Sequence, residues 1–169
     1  MFEPHHYLKM PLMPCARCYI GVVGGEPVCH VVMSSRNKGK GGVEARGCRL
    51  VVLPEWQGAG VGMRFLNAVC ELNLQGAEGG RFPGQPVTTL FHTSHPGLAA
   101  SLRRDRRWRQ VSANLYGEPR ARCIHTMAVS NARKLAETPN ATAISGAAYG
   151  GHFRAIQGFR YVGAEGVQN

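Results

Sequence analysis

Nowhere in these 169 residues is there an uncharged apolar run of the roughly eighteen or more that a membrane-spanning helix needs. Met1 to Pro14 also lacks the basic-then-apolar order of a secretory signal, so a soluble cytoplasmic protein with no membrane partner is expected. Regularly spaced cysteines are missing too. The six present (Cys15, Cys18, Cys29, Cys48, Cys70 and Cys123) are scattered through apolar stretches, which argues against a disulfide scaffold and for reduced, mostly buried thiols. Acidic side chains are scarce, 10 against 20 basic ones, for a formal charge of +10. Lysine is scarce as well: 16 of the 20 are arginine, whose planar fork suits bidentate phosphate contacts. A polyanionic partner such as nucleic acid fits this balance, although compositional bias or the needs of an anionic cofactor would give the same excess.

What is present fills one core. The length suits a single domain over residues 1–169, with 44 % apolar residues to pack it and residues 1–14, rich in proline and without periodicity, as an irregular arm. CARCYIGVV and PVCHVVM flank Gly24-Gly25-Glu26, the pattern of a β-hairpin. SSRNKGKGG, residues 34–42, has three basic side chains and no apolar one, so a mobile basic loop is expected there. RLVVL, stopped by Pro54, reads as a central strand. Val61, Phe65, Val69 and Leu72 recur at helical spacing, predicting a helix from about Gly60 to Leu74. Val87 to Phe91 predicts a strand and Gly97 to Arg104 a short basic helix. Arg122 to Val129 and Phe153 to Val162 are further strand candidates, with 131–151 open between poor helix and loop.

The most informative segment is Gln57-Gly58-Ala59-Gly60-Val61-Gly62, set between strand and helix. Glycines let a backbone approach a phosphate closely, and the first N–H groups of the helix that follows lack intrahelical acceptors and point at the anion. There is no Walker lysine and no βαβ unit is expected to begin here, which sets P-loop and Rossmann sites aside.

This segment resembles the central motif of the GNAT acyltransferases, a Gln or Arg, two residues, Gly, one residue, then Gly or Ala, matched by Gln57, Gly60 and Gly62. The resemblance implies an α/β (α+β) fold: a mixed, mostly antiparallel sheet with splayed central strands and flanking helices. It implies acetyl-CoA or another acyl-CoA as cofactor, with its pyrophosphate on the backbone of Gln57, Gly58, Ala59, Gly60, Val61 and Gly62, and its pantetheine along Val51, Val52 and Leu53. Many members carry a tyrosine acid in the helix after the next strand; GLAASLRRDRRW has none. Ser94 and His95, in the turn TSHP, become candidates for that chemistry, the alternative being a Ser cap with Pro in the first helical turn. Tyr149, between glycine-rich turns, is another candidate for the missing acid.

His5-His6-Tyr7, RLVVLPEWQGAGVG, TSHP and FRYVG together resemble bacteriophage Mom DNA-modification proteins, a divergent GNAT branch. That likeness implies a DNA base amine as acceptor and places His6 and Tyr7 in the site as catalytic residues and candidate iron ligands; a surface arm is the alternative. With DNA as partner, Lys38 and Lys40 on the expected loop and Arg103, Arg104, Arg107 and Trp108 in RRDRRWR would contact phosphate and stack on a base. A solvated helix end is the rival reading of that cluster. A conventional N-acetyltransferase acting on a small-molecule, protein or aminoacyl-tRNA amine is the other functional expectation.

Overall fold

The computed structural model describes residues 2–5, 15–39, 41–114, 120–137 and 155–164. His6, Tyr7, Lys40 and Tyr149 lie outside them. The chain divides into two compact units, Met1–Ser112 with Gln157–Asn169, and Ala113–Ile156.

The first unit is built on a six-stranded sheet. β1 (Arg17–Val23) and β2 (Glu26–Gly39) form the expected hairpin. Gly24 and Gly25 make its turn at φ 59° and 91°, the left-handed region that a two-residue hairpin turn demands of both positions. β3 (Gly42–Val52) continues antiparallel to β2. α1 (Val61–Leu74) follows, then β4 (Thr89–Thr93), α2 (Pro96–Arg104), β5 (Trp108–Asn114) and β6 (Ile156–Tyr161). The strand order is β1-β2-β3-β4-β6-β5, and β3 against β4 is a parallel pair.

The stretch expected as a mobile loop is strand instead. Ser34 to Gly39 extends β2, because its cations are ordered by pairing rather than by apolar burial. Glu44 on β3, with no exposed surface, takes Arg36 Nη1 at 2.8 Å, Arg160 Nε at 3.3 Å and Lys38 Nζ at 3.9 Å. Three of the six cysteines (Cys15, Cys18 and Cys48) are exposed, while Cys29 and Cys70 are buried.

The core lies on one face of the sheet. Val31 and Met33 of β2, Phe91 of β4 and Phe159 and Tyr161 of β6 pack against Leu66, Val69 and Cys70 of α1 and Ala99 and Leu102 of α2. Each such aliphatic side chain, fully buried, contributes about 1.5–3 kcal/mol. Trp108 also lies here, 5 % exposed, its indole N–H donating to Asn67 Oδ1 at 2.7 Å. Asn67 Nδ2 in turn donates to Asp105 Oδ2 at 2.8 Å, so a buried amide has partners at both ends.

The segment read as a cationic cluster therefore holds the start of an unforeseen strand, β5. It shows no apolar alternation because only Trp108 of its seven residues is buried. In the second unit, Arg120–Glu137 is a helix, α3, where a strand was expected at Arg122 to Val129. Ile124, Thr126 and Val129 suggested β structure, but Ile124 and Val129 stand exposed, where β-branching costs a helix only a few tenths of a kcal/mol. Alanine, arginine and the Arg133–Glu137 pair at 3.7 Å, one helical turn apart, favour the helix.

Candidate functional site

β3 and β4 stay together for three residue pairs only, Ala45 with Thr89, Arg46 with Leu90 and Gly47 with Phe91. Beyond that point β3 pairs with β2 alone, and His92 and Thr93 of β4 pair with Gly158 and Gln157 of β6. Two local features drive the strands apart. The β2–β3 register shifts so that Gly47 faces Met33 and Arg49 faces Val32, which makes Cys48 the extra residue of a β-bulge that bends β3. The Phe91 ring lies over Gly47, where any Cβ would collide with it.

The opening is a cavity of about 780 Å³. Cys48 to Val52 of β3 form one wall, Phe91 to Thr93 of β4 another, Trp56 to Gly58 and Gly60 to Met63 one end, and His95 with α2 residues the remainder, with His5 also lining it. Leu50 to Val52 have no strand partner on the edge that faces β4 among the described residues, and apart from Val52 O, which accepts from a side chain, that edge can pair with an extended amide-bearing guest.

The turn at the cavity's end is shaped by backbone need. Pro54–Trp56 is a single 3-10 turn, and Gln57 Nε2 donates to Val52 O at 2.9 Å, tying the turn to the strand it leaves. Gly58 and Gly60 have φ of 82° and 75° with open space around them, so glycine is required there by conformation and not by crowding. Gly60 is the N-cap of α1, and no side chain caps the helix. The leading N–H groups of α1 thus reach the cavity unclaimed by a cap, with the positive end of the helix dipole behind them. Gly62 has a different reason: a Cβ there would stand 2.8 Å from Val52 Cγ2. Substituting Gly62→Ala is expected to lower stability by about 1–3 kcal/mol through overpacking, read from urea unfolding.

Among the residues singled out in sequence, Val51, Val52, Gln57, Gly58, Gly60, Val61, Gly62, His95 and Arg104 line this cavity, whereas Ala59, Leu53 and Ser94 are not among its walls. The cap of α2 is His95 and not Ser94. His95 Nδ1 accepts from Leu98 N at 3.1 Å, and His95 N donates to Thr93 Oγ1 at 3.0 Å. In its neutral form, an imidazole accepting at Nδ1 carries its proton on Nε2.

The cationic residues are mostly engaged. Arg107 makes a two-pronged contact with Asp105 at 2.8 and 2.9 Å. Arg103 donates to Gln110 and Gln157, and Lys38 reaches Thr88 and Glu44. Trp108 is in the core, where it offers no ring face to a base. Among the described residues, no group of three or more His, Cys, Asp or Glu could hold a metal.

Sequence reading missed His92. It lines the cavity where the strands part, with its ring over Gly158, where a Cβ would come within 2.9 Å of Cδ2 and Nε2. Its Nδ1 is buried and without a hydrogen-bond partner. Burial, then the nearby Arg46 and Arg36, push its pKa below the usual histidine range, and Glu44 opposes them weakly. A neutral imidazole with an unpaired, cavity-side environment is a proton acceptor in waiting. The available signal was a histidine inside the strand TLFHT, overlooked for the turn that follows it.

No protein-family model matches the chain, and no curated protein sequence does. Solved structures do match. The ribosomal-protein-S18-alanine N-acetyltransferase from Escherichia coli is similar over 95 % of this chain and 82 % of its own, with a TM-score of 0.52 at 12 % identity. A Bacillus subtilis acetyltransferase in complex with CoA is similar over 86 % of this chain and 76 % of its own, with a TM-score of 0.50 at 10 % identity. The fold is the GNAT fold. No helix among the described residues is long and apolar enough to cross a membrane.

Proposed function

We propose that this chain transfers an acyl group from a CoA thioester to an amine, and that the amine belongs to a nucleobase in DNA. The observation that carries the reading is the open edge of β3 leading from an uncapped, glycine-built helix start to His92. The residues fit the donor. Gly58, Gly60, Val61 and Gly62 would hold its pyrophosphate through backbone N–H groups, and the edge of Leu50 to Val52 would pair with its pantetheine amides. The donor supplies an activated carbonyl carbon.

The chain's own task is then proton transfer and orientation. Attack of the amine nitrogen on the donor's carbonyl carbon would break its carbon–sulfur bond and release the sulfur as thiolate. The amine's proton passes to the neutral imidazole of His92 and from there to the departing sulfur or to water. The Cys48 to Val52 wall and the Phe91 ring shield the thioester from water on the side away from the acceptor.

DNA is supported by the charge of +10 with its arginine excess and by the resemblance to Mom proteins. A base amine inside a duplex is out of reach of this cavity, so the base must leave the stack or be single-stranded. Mass spectrometry of nucleosides from DNA incubated with the protein and acetyl-CoA tests this. An acylated nucleoside that disappears with His92→Ala is expected. Unmodified DNA, together with acylation of peptide or small-molecule amines in the same reaction, would establish a conventional N-acetyltransferase instead.

A further inference from the structure

The sheet face opposite the core carries a row of cations whose placement follows from register. Ser34 pairs with Arg46, Arg46 with Leu90 and Leu90 with Arg160, so these four share one face across β2, β3, β4 and β6. Two residues along in one direction Arg36 pairs with Glu44, and two residues along in the opposite direction His92 pairs with Gly158, on that same face. Adjacent strands lie about 4.8 Å apart, so Arg46 and Arg160 flank Leu90 at a separation of about 10 Å, with His92 about 7 Å further along β4.

Charge on this face is unbalanced. Arg36, Lys38 and Arg160 all share the single carboxylate of Glu44. Arg46 is exposed, and its guanidinium has no hydrogen bond or ion pair among the described residues. Four cations against one carboxylate leave an excess of positive charge on this face, and after burial, Arg46 and Arg36 of this group lower the His92 pKa further. A lone carboxylate would fill one guanidinium fork. An arginine row about 10 Å wide matches an extended series of phosphate oxygens better.

We propose that Arg46, with Arg36 and Arg160 beside it, is the seat for a phosphate group of the acceptor, and that it delivers the acceptor amine to the cavity from the sheet face rather than from the RRDRRWR segment. The proposal takes the position of the acceptor from the acyl-transfer reading above, but phosphate binding itself requires no donor.

The test is fluorescence anisotropy of a labelled single-stranded 12-mer DNA against salt, without CoA, with adenosine monophosphate as competitor. Arg46→Ala is expected to weaken DNA binding about fivefold and to reduce the magnitude of the logarithmic salt slope by about one, the signature of one lost phosphate contact. Arg46→Lys should keep most of the affinity, and Arg106→Ala and Arg109→Ala, on the far side of Trp108, should behave as wild type. Competition by the mononucleotide that depends on Arg46 would make the ligand a phosphate on a small acceptor; Arg46-dependent binding of the 12-mer alone would make it a polynucleotide. Either supports the seat. Wild-type affinity and slope in Arg46→Ala, or an equal loss in Arg106→Ala, would overturn it. A protein that binds DNA through Arg46 but never binds CoA would retain the seat and lose the acyl-transfer reading.

Discussion

His92→Ala lowers kcat for acyl transfer by about 10²- to 10⁴-fold, the range that general acid–base groups supply, and leaves CoA affinity unchanged. Under the proposed reaction the substitution removes the group that would meet the reacting amine, but neither the helix start nor the β3 edge that would hold the donor. The pH–rate profile carries the more specific signature. Because burial and the nearby Arg46 and Arg36 hold the imidazole's pKa low, the wild-type enzyme keeps its base unprotonated below pH 6.5, and the acid limb of kcat falls beneath the ordinary histidine value. Arg46→Ala removes one of these cationic influences and moves that limb upward, toward about 6.5. Stability follows the same sign. A histidine whose pKa is lower in the folded than in the unfolded chain contributes stability above the unfolded value of about 6.5, and this is lost as the pH falls through the folded value. A limb that stays put in Arg46→Ala, or activity that survives His92→Ala, would remove His92 from the chemistry.

Trp108→Ala destabilises the fold by about 3–5 kcal/mol, measured from urea unfolding followed by circular dichroism. The side chain packs edge-on against Phe91 and Tyr161, at 6.5 and 5.2 Å between ring centroids, so its loss opens a cavity behind the wall of the cleft. Trp108→Phe is the gentler variant, keeping most of the apolar burial while leaving Asn67 Oδ1 without its donor, at a cost of about 1–3 kcal/mol. Neither variant, where folded, changes the salt dependence of DNA binding. A Trp108→Phe protein of full stability that binds single-stranded DNA poorly would mean that the indole serves a base and not the core.

The parts of this molecule legible in its sequence are those that depend on neighbouring residues. Gly24-Gly25 marks a hairpin because both positions need positive φ. Gly58 and Gly60 mark the anion-binding turn for the same reason, and the 3.6-residue recurrence of Val61, Phe65, Val69 and Leu72 marks α1. The parts that were not legible depend on residues far apart. Trp108 is buried because Asn67, 41 positions earlier, offers it an acceptor. The cations of β2 are ordered by Glu44 and share it with Arg160, 116 positions later than Glu44. His92 matters because a bulge on another strand opens the sheet beside it, and no local pattern in TLFHT announces that. Ser94 looked like a cap by residue type, but the backbone places His95 at the position whose side chain meets Leu98 N.

The assignment of this cleft requires that the β3–β4 opening hold CoA. Isothermal titration of CoA into the wild-type protein and into Gly60→Ala decides it. An L-side chain at φ 75° costs about 1–2 kcal/mol in the left-handed conformation, enough to turn the N–H groups of the loop away. One-site binding by wild type, weakened about tenfold or more in a folded Gly60→Ala protein, is the expected result. A folded wild-type protein that takes up no CoA, or a Gly60→Ala variant that binds it equally well, would contradict the assignment of this cleft.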